Sequence, residues 1–268
     1  MEAMILAAGL GTRLGTITTE LPKALVPVGD KPLLRWVIDG LVSAGVTRVV
    51  INTHHHDGQI RSFVVGLRIP GVDFALSPEP DGPYETGGGL LAASPLFQEE
   101  GPFLLHNADV LSTIPLGDLV TQHVAAGAGS ESTLIASLAV QERESRRALL
   151  FDDLGLLGWD NRGGEGTKAA RHEVREPVGA VRRWAFTGIH VVEPRIFGLT
   201  ERKGSFSIIT LYLELARGGF GIQALDVTDE EWHDVGTPER LEEARLKFSL
   251  SADGPTPKKP THTEQGNP

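Results

Sequence analysis

Two rhythms of apolar residues alternate along this chain. Short unbroken apolar runs of strand character stand at Ile5 and Leu6, at Arg48–Asn52, Val72–Leu76, Pro102–His106, Ser132–Leu138 and Ile222–Val227. Between them the apolar residues fall at helical spacing, as in Leu33, Leu34, Val37, Ile38 and Leu41 after Pro32, a helix that should run to about Ser43 and end at Gly45. Further helices are expected over 58–65, from Leu90 to Ala93, over Leu116–Ala126, over Phe206–Arg217 and from Pro238 to about Phe248. Strands that alternate with helices predict right-handed βαβ units and a mostly parallel sheet. After Leu138 the pattern loosens. Ala148–Asp152 and Leu154–Trp159 read as a hairpin, Asn161–Val174 as a polar, Gly-rich excursion, and Val181–Val192 as strand. Ser249–Pro268 is rich in Pro, Gly, Lys and Thr without apolar periodicity and reads as a disordered tail.

With 268 residues the chain can hold one large α/β domain or two small ones. No apolar run is long enough to span a bilayer, and Met1-Glu-Ala-Met lacks the basic start of a signal peptide, so no membrane association is expected. The absence of cysteine excludes disulfides and thiolate metal sites, and suits a cytoplasmic location. A net charge of −10 argues against general nucleic-acid binding. It leaves room for small anionic substrates, which need only a local positive site or a divalent cation held by carboxylates.

The candidate chemistry begins where the first strand ends. Ala7 and Ala8 let the following loop approach closely, and Gly9 and Gly11 free its backbone to turn N–H groups toward an anion. Arg13 and Lys23 bring positive charge to the same region, with Pro22 and Pro27 stiffening the segment around Lys23. The glycines alone fit an ordinary turn as well. No Gly-Lys-Ser/Thr follows, as a Walker loop would need, and the third glycine of a dinucleotide fingerprint is missing. His54, His55 and His56 invite a metal reading, but alternate strand residues face opposite ways, so a polar strand end is the better account. Glu85-Thr-Gly-Gly-Gly89 admits two readings. One is a loop capped by Thr86 at the start of a short helix; the other is a ligand loop whose Gly87, Gly88 and Gly89 let a base or sugar lie against backbone. Asp109 closes an apolar strand, where open α/β sheets bind ligands, although Asp also caps helices. Trp232-His-Asp-Val-Gly-Thr-Pro238 leads into the last helix. Thr237 is a natural cap and Pro238 suits the first turn, but neither role explains Asp234.

Leu6-Ala-Ala-Gly-x-Gly-Thr-Arg-Leu14, followed by Pro22-Lys-x-Leu-x-Pro-Val28 and Lys31-Pro-Leu33, resembles the signature of the sugar nucleotidyltransferases, the nucleoside diphosphate sugar pyrophosphorylases. The resemblance covers about residues 3–247. It implies a Rossmann-like, GT-A-like fold: a doubly wound, mixed and mostly parallel sheet flanked by helices, with a small sugar-binding subregion. One nucleotidyltransferase domain would occupy 1–248, its nucleotide-binding half about 1–140 and its sugar-binding half 141–248. The resemblance implies nucleotide contacts from Ala8, Gly9, Gly11, Thr12, Arg13, Lys23, Glu79, Thr86 and Gly87. It assigns the sugar to Gly88, Asn107, Thr187 and Gly188. Arg13, Lys23 and Asp109 would be catalytic, and Asp109 with Asp234 would hold Mg²⁺. A carboxylate at Glu79 suits the N–H edges of uracil or guanine and suits cytosine poorly.

One departure bears on the substrate. Many members carry Glu-Lys-Pro before the Thr-Gly, with the lysine on the sugar phosphate; here the stretch reads Arg175-Glu-Pro177. Either Arg175 compensates, or the chain belongs to a branch without that lysine, such as the one resembling N-acetylmuramate 1-phosphate uridylyltransferases of cell-wall metabolism. The guanylyltransferases generally keep it, which favours UTP. The expected substrates are therefore an NTP and a sugar 1-phosphate, with a homodimer left open. The rivals are a mannose, heptose or glucose 1-phosphate enzyme of other base preference, a cytidylyltransferase for a non-sugar alcohol phosphate, and a catalytically silent nucleotide-sugar-binding regulator.

Overall fold

A computed structural model describes residues 1–129, 132–163 and 168–248, so the tail expected at 249–268 lies outside the described residues. In chain order the elements begin with β1 (Glu2–Leu6), α1 (Ile17–Glu20), β2 (Pro27–Val28), β3 (Lys31–Pro32), α2 (Leu33–Ser43), β4 (Arg48–Thr53), α3 (Asp57–Gly66), β5 (Asp73–Pro78) and α4 (Glu85–Ala93). They continue with β6 (Phe103–Asn107), β7 (Val110–Ser112), α5 (Leu116–Ala126), β8 (Leu134–Gln141), β9 (Arg147–Asp152), β10 (Gly155–Asn161) and β11 (Ala170–Glu173). The last are β12 (Arg182–Val192), α6 (Ile208–Arg217), β13 (Gly221–Asp226), β14 (Trp232–Asp234) and α7 (Pro238–Phe248).

The mixed α/β sheet flanked by helices is present. Its path runs β11-β10-β9-β12-β6-β1-β4-β5, with β8 paired to both β12 and β13. The strands β5, β4, β1 and β6 are mutually parallel, as are β8 and β13. The strands β12, β9, β10 and β11 join antiparallel. Both faces of the parallel part are covered, which is why its strands read as unbroken apolar runs. On β1, Ala3 and Ile5 pack with Leu34, Val37 and Ile38 of α2, Ile60 of α3 and Leu119 of α5. Met4 faces the other way, toward Leu90 of α4 and Leu211 and Leu215 of α6. A third cluster of Leu14, Val28, Trp36, Leu111, Val235, Leu241 and Phe248 fastens the loop after β1 to α7.

β12 carries the change from parallel to antiparallel pairing. Its first residues pair with β9, its last with β6, and its register against β8 shifts between Phe186 and His190, where Gly188 has φ +82°. Two local expectations need correction. Asn161–Val174 is not wholly irregular, because Ala170–Glu173 forms an edge strand on β10. Thr86 does not cap α4, which starts one residue earlier, at Glu85 with φ +56°. Thr237 does cap α7, its hydroxyl accepting from Arg240 N–H at 3.4 Å.

Candidate active site

The loop after β1 is anchored from the neighbouring strand. Asn52, at the end of β4, accepts the Ala7 N–H at 2.7 Å and donates through Nδ2 to Glu79 Oε1 at 2.7 Å. The other Glu79 oxygen accepts the Tyr84 N–H at 2.7 Å, tying the start of α4 to the same knot. Beyond the anchor the loop opens. Gly9 is exposed, and a Cβ there would meet nothing within 4 Å. Gly11 has φ +66°, and a Cβ on it would stand 2.9 Å from Thr18 Cγ2 and 3.1 Å from Lys23 Cβ, so only glycine lets the loop close over the Lys23 segment. Thr12 and Arg13 are exposed on the turn that follows, while Leu14 inserts into the third cluster.

Lys23 Nζ forms an ion pair with Asp109 Oδ2. Asp109 directly precedes β7, and β7 pairs antiparallel with β14, placing Asp234 opposite Val110. The Asp109 carbonyl accepts the Val235 N–H at 2.9 Å, so the two carboxylate residues sit on adjoining strand ends. Asp234 Oδ2 accepts from Arg240 Nη1 at 2.7 Å. A Cβ on Gly236 would stand 2.7 Å from Asp234 Oδ1 and 2.8 Å from Arg13 Nη2, so that glycine keeps open the gap both side chains border. Lys23 and Asp109 line a cleft of about 260 Å³, together with Ala8, Gly9, Asn107 and Thr86 among others. A larger hollow of about 390 Å³ lies between α2, β7 and α5, walled by Trp36, Val37, Ile114 and Phe248; of the signature residues only Lys31 reaches it.

Several expected ligand residues are engaged elsewhere. Glu79 is 1% exposed and both its oxygens are taken, so it has no free edge for a base. Gly87 and Gly88 lie inside α4 and donate their N–H groups to the Phe206 carbonyl. A Cβ on Gly87 would enter the Phe206 ring, one on Gly88 would collide with the Gly204 carbonyl, and one on Gly89 would stand 2.6 Å from Glu79 Oε1. The run of glycines therefore makes room for protein, not for a ligand. Thr86 borders the cleft, but its hydroxyl accepts the Ile208 N–H at 2.8 Å. Thr187 is 1% exposed and its hydroxyl donates to the Ala139 carbonyl at 2.7 Å. A Cβ on Gly188 would collide with the amide of Asn107, so the Thr-Gly pair shapes the β12 bulge behind Asn107.

The histidines beside the site are structural. His54 Nδ1–H donates to the Glu79 carbonyl at 2.7 Å and His56 bonds the Thr19 carbonyl at 3.1 Å. Burial lowers the His106 pKa to about 4 and that of His190 to about 3, so both are neutral near pH 7. Arg175 is held by Asp152 at 2.5 and 2.6 Å, and this pairing keeps the Asp152 carboxyl well below its ordinary range. Both arms of Arg175 are thus taken up at the β9–β10 turn. The Asn52 anchor, the backbone at Glu85 and the seat of Arg143 are not expected from the sequence. A positive φ at Glu85 and a guanidinium stacked on Trp232 are products of long-range packing and leave no periodic trace.

The family model described as nucleotidyl transferase matches residues 2–147, and the chain belongs to that family of nucleotidyltransferase enzymes. It is 33% identical over 245 residues to an N-acetylmuramate alpha-1-phosphate uridylyltransferase of Neisseria meningitidis serogroup B, covering 91% of this chain and 97% of that protein. It is 28% identical to the mannose-1-phosphate guanylyltransferase catalytic subunit beta of Drosophila melanogaster, with 88% of this chain and 60% of that protein covered. In fold it is similar to the crystal structure of a putative glucose-1-phosphate thymidylyltransferase from Bacillus anthracis, with TM-score 0.75, 19% identity, and 95% and 98% of the two chains covered.

Proposed function

We propose that this chain transfers a nucleotidyl group from a nucleoside triphosphate, preferentially UTP, to a sugar 1-phosphate, N-acetylmuramate 1-phosphate or a related hexose phosphate. The observation that supports the reading is the Lys23–Asp109 pair on the wall of the cleft, with the β7–β14 ladder joining it to the gap at Gly236 that Arg13 and Asp234 border. An acceptor phosphate oxygen attacks the α-phosphorus; the new P–O bond forms as the α–β phosphoanhydride bond breaks, and pyrophosphate leaves with the bonding pair. The acceptor is already an anion, so no strong general base is needed. Alignment and charge neutralisation carry the rate. The open backbone at Gly9, with Thr12 and Arg13, would receive the departing phosphates, and Lys23 the charge at the reacting one.

Asp109 and Asp234 suit Mg²⁺, which binds few carboxylates and completes its shell with water and phosphate oxygens. Both are hard oxygen donors, and their side chains are 25% and 21% exposed, each now facing a cation that bound phosphates can draw away. When bound, the ion would neutralise charge along the polyphosphate. The preference for UTP rests on the absent lysine and on the likeness to the uridylyltransferase; Glu79 no longer supports it. Likeness to the guanylyltransferase supports the second reading, GTP with a mannose-type phosphate.

The test is pyrophosphate release with Mg²⁺, crossing UTP, GTP, CTP and dTTP with N-acetylmuramate, N-acetylglucosamine, glucose and mannose 1-phosphates. UTP with N-acetylmuramate 1-phosphate as the best pair supports the reading; GTP with mannose 1-phosphate replaces it by the second. Asp109→Asn should lower turnover by roughly 10²- to 10³-fold or more with melting unchanged. Near-normal turnover in that variant would remove Asp109 from the chemistry.

A further inference from the structure

We infer that Arg143 binds the phosphate of the incoming sugar 1-phosphate, in place of the lysine this chain lacks; the inference rests on the functional reading above. Arg143 follows β8, and its guanidinium lies over the Trp232 ring with Cζ 3.9 Å from the centroid. The ring is fixed in turn, its Nε1–H donating to the Thr187 carbonyl at 2.8 Å. Trp232 opens β14, the strand that ends at Asp234, and Gly188 beside Thr187 backs the Asn107 amide that lines the cleft. The platform under Arg143 is therefore joined to the site on two sides.

The guanidinium is held but not satisfied. Nη2 donates to the Phe186 carbonyl at 3.2 Å, while Nε is buried with no partner. A fork of five N–H donors kept flat on an aromatic face, with a buried donor unmet, is suited to a planar or tetrahedral oxyanion. The surrounding charge points the same way. Arg143 feels Arg240 and Asp234, Arg240 already occupies Asp234 Oδ2, and Arg13 borders the gap at Gly236 on Asp234's other side. Three guanidinium groups thus gather about one carboxylate, in a chain of net charge −10. Burial, and after it the charge of Arg240, work against the Arg143 cation while Asp234 supports it, and an added anion would offset the balance. The alternative cation, Arg175, is bound on both arms by Asp152.

The experiment compares Arg143→Gln and Arg143→Lys with wild type in steady-state turnover and in calorimetric binding of N-acetylmuramate 1-phosphate and N-acetylglucosamine 1-phosphate. Loss of a charge-assisted contact should raise the acceptor KM and Kd by roughly 10- to 100-fold in Arg143→Gln, with part recovered in Arg143→Lys. KM for UTP should stay within about twofold, because a contact to the acceptor alone contributes nothing to nucleotide binding. The two sugars separate the two anions an acceptor can offer, since N-acetylglucosamine 1-phosphate carries no carboxylate. Equal losses for both assign Arg143 to the phosphate. A loss confined to the muramate compound would assign it to the lactyl carboxylate and overturn the inference, as would a rise in the KM for UTP alone or no change. If wild type binds these acceptors without turnover, the functional reading fails while the binding comparison still decides Arg143. If wild type binds neither acceptor, both fall. Arg143→Lys retains the stacked cation and keeps the comparison readable if the glutamine variant folds poorly.

Discussion

Gly9 and the Gly87–Gly89 run stand near the same cleft, and their surroundings are opposite. Around Gly9 the space that a side chain would occupy is empty; around Gly87, Gly88 and Gly89 it is filled by Phe206, the Gly204 carbonyl, and the Glu79–Asn52 pair. Both stretches are glycine-rich segments after a parallel strand, and in sequence each admits a ligand-loop reading beside a structural one. Missing side chains make room, and the tertiary structure decides whether a ligand or the protein itself uses it. At α4 the protein uses it. The Phe206 carbonyl collects the N–H groups of Gly87 and Gly88, and Ile208 N–H reaches Thr86, so the chain before α6 is stitched onto the helix start.

The widest separation between the two regions should come from alanine substitutions. Gly88→Ala places a methyl group against a backbone carbonyl that has no rotamer to adjust. A helix interior ordinarily gains up to about 1 kcal/mol from such a change. Here the collision should outweigh that gain and cost about 3 kcal/mol or more, lowering the melting temperature by roughly 6–12 °C. Calorimetric melting checks it, and a stability equal to wild type would mean that the 204–208 segment is not seated on α4. Glu79→Gln comes next. An amide keeps the shape but presents a donor to either Asn52 Nδ2 or the Tyr84 N–H, leaving a buried conflict worth about 1–3 kcal/mol. The KM values for UTP and GTP should move together, if at all. A selective loss for one base would restore Glu79 as a reader of the base edge.

Gly9→Ala should act in the opposite sense to Gly88→Ala. Its backbone lies outside the left-handed region and its surroundings are empty, so stability should change by no more than about 0.5 kcal/mol. A methyl group where phosphate oxygens would approach should lower kcat/KM for the nucleotide by about tenfold, equivalent to about 1.4 kcal/mol. Unchanged kinetics would leave the open loop without a ligand role and erase the functional half of the contrast.

The same contrast explains what could be read from the sequence. The main alternation of strands and helices, the buried parallel strands, the cap at Thr237 and the loop through Arg13 follow from periodicity and local residue chemistry. The pairing of Asp109 with Asp234 is implied by the resemblance alone; the short β7–β14 ladder brings their backbones side by side. The Asn52–Glu79–Tyr84 knot, the seat of Phe206 on Gly87, and Arg143 on Trp232 join residues distant in sequence. Nothing local marks them. A buried Glu79 and a ligand-facing Glu79 have the same neighbours in sequence and differ only in what the fold brings against them.

The smallest effect is expected at Arg175, where the two regions meet the question of the missing lysine. Its guanidinium holds Asp152 with two bonds, and Val178 N–H reaches the same carboxylate at 2.6 Å, so Arg175 closes the β9–β10 turn. Arg175→Gln should leave the acceptor KM and the nucleotide KM within about twofold of wild type, the range expected when no substrate contact is lost. Its cost should fall on the fold: Asp152 loses the cation that holds its pKa down, so the carboxyl should titrate at higher pH than in wild type. The sign follows from linkage. A carboxyl depressed in the folded state contributes stability above its unfolded pKa and loses it as pH falls through the folded value. Wild type should therefore hold an advantage over the variant at neutral pH that narrows below about pH 4. Melting curves from pH 7 to pH 3 measure that narrowing. An acceptor KM that rises with Arg175→Gln, at unchanged stability, would instead show that Arg175 leaves Asp152 to meet substrate, and the division between a packed turn and a working site would then shift by one residue.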